Sequence, residues 1–122
     1  MTYVKKIALA AALSVLSFTV FSQTVSKPII EVVTLKIKPG ISWAEFQRID
    51  KAVEVQHVSR QPGFISRESA AGKAGSWLVI VHWKTVADAD ASMKSFAAAP
   101  AAKTFMDSIE PSSMTMTRYQ QP

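Results

Sequence analysis

QPGFISRESAAGKAGSWLVIVHWKTVADADA, Gln61 to Ala91, contains a turn, a strand, a small-residue loop, a second strand and the start of a helix. Its central run, Trp77-Leu78-Val79-Ile80-Val81-His82-Trp83, is apolar on both alternating faces, and a strand of that kind must be covered on both sides. Helices of the same chain can cover one side. A second subunit is the simplest cover for the other, so the run predicts a homodimer.

Upstream, Ile29 to Lys38 alternates, with Glu31, Val33, Leu35 and Ile37 on one face and Ile30, Val32, Thr34 and Lys36 on the other. Pro39-Gly40 ends this strand, and Ser42-Trp43-Ala44-Glu45 reads as a capping box that starts a helix at Trp43. Phe46, Ile49, Val53 and His57 form the inner stripe of that helix, with Asp50 and Glu54 on its flank. Arg60 to Gly63 stops it. The strand Phe64 to Ser69 follows, with Phe64, Ser66 and Glu68 opposite Ile65, Arg67 and Ser69, and the loop Ala70 to Gly75 has a length suited to a hairpin. Beyond Trp83, Thr85 is the expected cap of a helix whose stripe is Val86, Ala89, Met93, Phe96 and Ala97. Pro100 opens a short helix, Ala101 to Ile109, with Phe105, Met106 and Ile109 inward. Ser113 to Tyr119 is a last strand.

The order strand, helix, strand, strand, helix, strand predicts an α+β, ferredoxin-like βαββαβ domain: a four-stranded antiparallel sheet with its helices on one face. The chain has 122 residues, enough for one domain with one modest core. Met1 to Ser22 has the design of a secretory signal: Lys5 and Lys6, an uncharged apolar stretch from Ile7 to Phe21, then a small residue. That stretch is shorter than the roughly 20 residues needed to span a bilayer. The expected product is therefore a domain of residues 23–122, periplasmic or secreted, with no stable membrane association after cleavage. There is no cysteine, which excludes disulfides and thiolate chemistry. The formal charge of +5 falls to +3 without the leader, and its basic residues are scattered among acids, poor support for a nucleic-acid surface.

The runs Glu31-Val-Val-Thr-Leu-Lys-Ile-Lys-Pro-Gly40, Gln61-Pro-Gly-Phe-Ile-Ser-Arg-Glu68 and Trp77 to Ala91 resemble the antibiotic-biosynthesis monooxygenase-like branch of the dimeric α/β barrels. The resemblance covers essentially the whole mature chain. It implies two subunits pairing sheets face to face, with a pocket between helices and sheet in each. It also implies cofactor-independent oxygenase chemistry on a small aromatic or apolar molecule. The heme-degrading relatives are similar to a pattern of Asn, Trp and His that would fall near Val33, Ser92 and Ala102, where none matches.

Candidate chemistry centres on two histidines and a carboxylate. His57 shares a helix face with Asp50, which would raise its proton affinity and make it a pocket base; alternatively it is a histidine favoured by the helix C-terminus. His82 either lines the pocket or meets the partner subunit. Trp43, Phe46 and Trp77 could line a pocket for a flat apolar ligand, or be plain core. Arg67 and Arg118 could hold an anionic substrate or lie on the surface. Two histidines without converging carboxylates give no metal site, and no cofactor motif is present. The expected catalytic residues are thus His57, His82 and Asp50, in a pocket with Trp43, Phe46 and Trp77; the other reading is a non-catalytic periplasmic dimer that binds a small ligand.

Overall fold

The structure, a computed structural model, describes residues 27–122. The expected signal segment, 1–22, lies outside them. Four strands, β1 (Ile29–Lys36), β2 (Phe64–Ala71), β3 (Ser76–Trp83) and β4 (Thr115–Gln120), form one sheet in the order β2-β3-β1-β4 with every neighbour antiparallel. Three helices, α1 (Trp43–Gln56), α2 (Val86–Phe96) and α3 (Pro100–Asp107), accompany it, with a short 3-10 turn at Val58–Arg60. This is the α+β, ferredoxin-like arrangement expected.

The caps are those written in the sequence. Ser42 Oγ accepts from the Glu45 amide at 3.0 Å, Thr85 Oγ1 accepts from the Asp88 amide at 3.0 Å, and Pro100 sits in the first turn of α3. Each satisfies or removes an amide that a helix start would leave without a partner. Strand β1 stops at Lys36, and beyond it Ile37 makes an isolated bridge to Ile109.

Alternation assigns the faces. Ile29, Glu31 and Leu35 of β1 and Trp77, Val79, Val81 and Trp83 of β3 are buried against the helices. Their core partners include Phe46 and Val53 of α1, Ala89 of α2, and Phe105. Phe46 is fully buried, edge-on to Trp77 at 5.1 Å and 5.2 Å from Phe105. The opposite face carries Ile30, Val32, Leu78, Ile80 and His82, none of them fully buried.

Three expected stripes are corrected. Asp50 is buried with Phe46 and Val53 rather than on the flank of α1, because it has a buried cation to meet. On α2 the buried residues are Ala89 and Ser92, while Val86 and Met93 are exposed. On α3, Phe105 points inward and Met106 outward, since a helix ending at Asp107 turns only one flank to the sheet.

Candidate functional site

Register lays two rows of side chains across the helix-facing side of the sheet. Arg67, Val81, Glu31 and Arg118 are successive cross-strand neighbours on β2, β3, β1 and β4; Ser69, Val79, Val33 and Met116 form the next row. Arg67, Val81, Glu31, Val79, Val33 and Met116 of these rows floor a cavity of about 90 Å³ between sheet and helices. Its roof comes from Val53 of α1, Ser92, Met93 and Phe96 of α2, and Phe105 of α3. A buried water needs roughly 10–15 Å³ of such space, so several waters or a small organic ring are accommodated. The lining is overwhelmingly apolar. Met93, Met114 and Met116, each partly exposed, mark where the cavity meets solvent.

Two ionised side chains interrupt these apolar walls. Arg67 is the first, its side chain only 4% exposed. Its terminal nitrogens grip Asp50 in a two-pronged pair, Nη2 to Oδ1 at 2.7 Å and Nη1 to Oδ2 at 3.1 Å. Ser69 donates to Asp50 Oδ2 at 2.6 Å, and Glu54 lies 3.8 Å from Nη1. The Arg67 Nε–H is buried and has no hydrogen-bond partner. The second is Glu31, an acid in the middle of an apolar strand face. It accepts from Arg118 Nε at 2.9 Å and from Trp83 Nε1 at 3.4 Å, and Arg118 is also paired with Asp90.

The residues singled out from the sequence are not gathered around this cavity. Asp50 stands behind Arg67 rather than beside His57. His57 is buried, and burial pushes its pKa down instead of a carboxylate raising it. Its Nε2 meets Ser95 Oγ at 2.8 Å, its Nδ1 has no partner, and its ring stands edge-on to Phe96 at 5.8 Å. His57 therefore backs the cavity wall through Phe96 without bordering the cavity. His82 is on the far side of the sheet, opposite Ile30 of β1 and Ser66 of β2. Phe46 and Trp77 belong to the core beneath the helices, and Trp43 is 60% exposed beside a separate groove with Lys36, Lys38 and Gly72. Trp43 is the first residue of α1.

Arg67 and Arg118 are neither surface residues nor free to grip an anion, because each is held by carboxylates. The inward position of Arg67 was hidden by a bulge between Phe64 and Ser66. Strict alternation puts Phe64 and Arg67 on opposite faces; the bulge lets both face the helices, opposite Trp83 and Val81. Glu31 did carry a signal, since an acid flanked by Ile29, Val33 and Leu35 on one face is buried only with a partner. Among the described residues no group of three or more His, Asp or Glu side chains is placed to hold a metal ion. No helix among them is long and apolar enough to cross a membrane.

The chain matches no protein-family model and, in sequence, no curated protein. Its fold does match solved structures. SnoaB, a cofactor-independent oxygenase from Streptomyces nogalater, is 15% identical and superposes with a TM-score of 0.65 over 80% of this chain and 95% of its own. A protein from Caulobacter crescentus provisionally described as an antibiotic biosynthesis monooxygenase gives 0.65 at 17% identity, over 80% of this chain and 92% of that one. A Bordetella bronchiseptica protein with the same provisional description gives 0.61 at 14% identity, over 80% and 99%. These likenesses establish a shared fold with structures of the antibiotic-biosynthesis monooxygenase type, as the sequence resemblance implied.

Proposed function

We propose that the protein is an exported homodimer of the antibiotic-biosynthesis monooxygenase type that oxidises a small aromatic or apolar molecule without a tightly held cofactor. The observation that carries this reading is the apolar cavity between helices and sheet, bordered by one carboxylate and one guanidinium. The likeness of fold to a cofactor-independent oxygenase supports the chemistry.

A substrate that reacts with oxygen unaided must supply the electrons itself, as an activated methylene can: R–CH2–R′ + O2 → R–CO–R′ + H2O. Three things favour that reaction: loss of a proton to a fixed base, a stabilised enolate, and exclusion of water. Glu31 is the carboxylate bordering the cavity, and we assign it the proton. Asp50 positions Arg67, and His57 fixes the Phe96 wall from behind. His82, with Ile80 and Leu78, belongs to the face that pairs with the second subunit, which explains why an apolar face is left without helices.

One observation favours a second reading, in which the dimer only binds its ligand. Both ionised groups at the cavity already have partners, Glu31 with Arg118 and Arg67 with Asp50, which suits holding a molecule as well as activating it. Oxygen uptake separates the two. With a panel of phenols and enolisable aryl ketones, the enzyme reading expects uptake above the spontaneous rate, and its loss in Val33→Phe, which fills the cavity. Binding of the same molecules without uptake overturns the oxygenase in favour of the binder; neither binding nor uptake overturns both.

A further inference from the structure

Resting on the cavity reading above, we infer that the cavity selects neutral, single-ring carbonyl compounds, and that the Arg67 Nε–H is the donor that takes their oxygen. A guanidinium has five N–H groups in a fixed fork. Here the terminal nitrogens are committed to Asp50, and the remaining Nε–H is buried without a partner in a side chain that borders the cavity. An unfilled donor at a buried site is costly, and a ligand acceptor removes that cost. The Arg67 Nε–H is thus the one buried side-chain donor without a partner among the residues that line the cavity.

Charge determines which acceptor fits. Asp50 neutralises Arg67 directly and Glu54 adds a second carboxylate within 4 Å, so no net positive charge remains for an anion. Glu31, across the cavity floor, is a further carboxylate. A carboxylate ligand would be stripped of water among like charges without a free cation to compensate. A ketone, aldehyde or quinone oxygen accepts one N–H and brings no charge. The rest of the molecule meets Val79, Val81 and Val33, and at the mouth the thioethers of Met93, Met114 and Met116, which are favourable neighbours for an aromatic edge. The cavity's volume limits the body to about one ring.

The test compares acetophenone, ethylbenzene and benzoate, molecules with the same ring and a different polar group, against protein expressed from the full-length chain. Binding is followed by calorimetry and by 15N–1H spectra of the arginine Nε–H groups. A hydrogen bond to a charged donor is expected to make acetophenone bind about tenfold tighter than ethylbenzene, with benzoate weakest, and the Arg67 Nε–H signal to move with acetophenone alone. Arg67→Lys identifies that signal by its loss. If this variant does not fold, Arg48→Lys, Arg60→Lys and Arg118→Lys identify it by elimination. Equal affinities for acetophenone and ethylbenzene, or an Nε–H signal that stays put, overturn the inference while leaving an apolar cavity in use. Benzoate binding best overturns the charge argument. Binding of none of the three, with shifts nowhere in the cavity, overturns this inference and the cavity reading together.

Discussion

Arg67→Met is the most informative single substitution for stability, because it removes one half of a buried ion pair and leaves the other. Asp50 would keep only the Ser69 hydroxyl, at 2.6 Å, as a donor. Breaking a buried pair in this way costs about 3–5 kcal/mol, a large share of the roughly 5–15 kcal/mol that holds such a domain together. Asp50→Asn is expected to be milder, about 1–3 kcal/mol, because Arg67 retains Glu54 3.8 Å away, on a side chain 21% exposed that can move closer. Replacing both, Arg67→Met with Asp50→Asn, removes the stranded charge along with its partner. The double variant is therefore expected to be more stable than Arg67→Met alone. Urea denaturation followed by circular dichroism, at one fixed protein concentration, measures all four corners of the cycle. A cost below about 1 kcal/mol for Arg67→Met, or a double variant as damaged as the sum of the singles, would refute the claim that the pair is buried and mutually dependent.

The remaining expectations concern pH, backbone and assembly. Burial holds the folded-state pKa of His57 below its ordinary 6.5, so the unfolded chain takes up the proton first. Stability should be complete above that value and decline as pH falls below it, by at most about 1.4 kcal/mol per pH unit; His57→Gln should flatten that slope in urea titrations, and an unchanged slope would deny the buried neutral imidazole. Gly63 has φ +81 and lies against the Asp88 side chain, so Gly63→Ala should lower the melting temperature through strain and overlap at once; an unaltered melting curve would mean that the turn readily rearranges. Ile80→Asp places a charge on the uncovered sheet face opposite Val32, and light scattering should show monomer or aggregate where the parent is a dimer. A soluble parent monomer would contradict the assembly proposal.

Much of the fold was legible because local signals agreed with one another. Ser42 and Thr85 cap the helices they were expected to cap, Pro100 opens α3, and the doubly apolar Trp77 to Trp83 run became β3, with three strand pairings resting on it or its neighbour β1. The site was less legible, for identifiable reasons. Histidines and tryptophans draw notice as chemistry, yet Phe46 and Trp77 are spent on packing and His82 points away from the helices. The polar groups that do border the cavity, Arg67, Glu31 and Ser92, meet only in three dimensions: a bulge in β2 turns Arg67 inward, and the partner that permits Glu31 to be buried, Arg118, is 87 residues away. Helix periodicity also favoured Met93 over Ser92 for the interior, whereas Ser92 faces in and Met93 stands at the mouth.

The most direct measurement is a crystal structure of the protein soaked with acetophenone. The expected result is one ring per subunit between α2 and the sheet, against Val33, Val79 and Val81, with its oxygen about 3 Å from Arg67 Nε. A ring bound instead in the groove beside Trp43, with the cavity closed over its own side chains, would contradict the assignment of the working site.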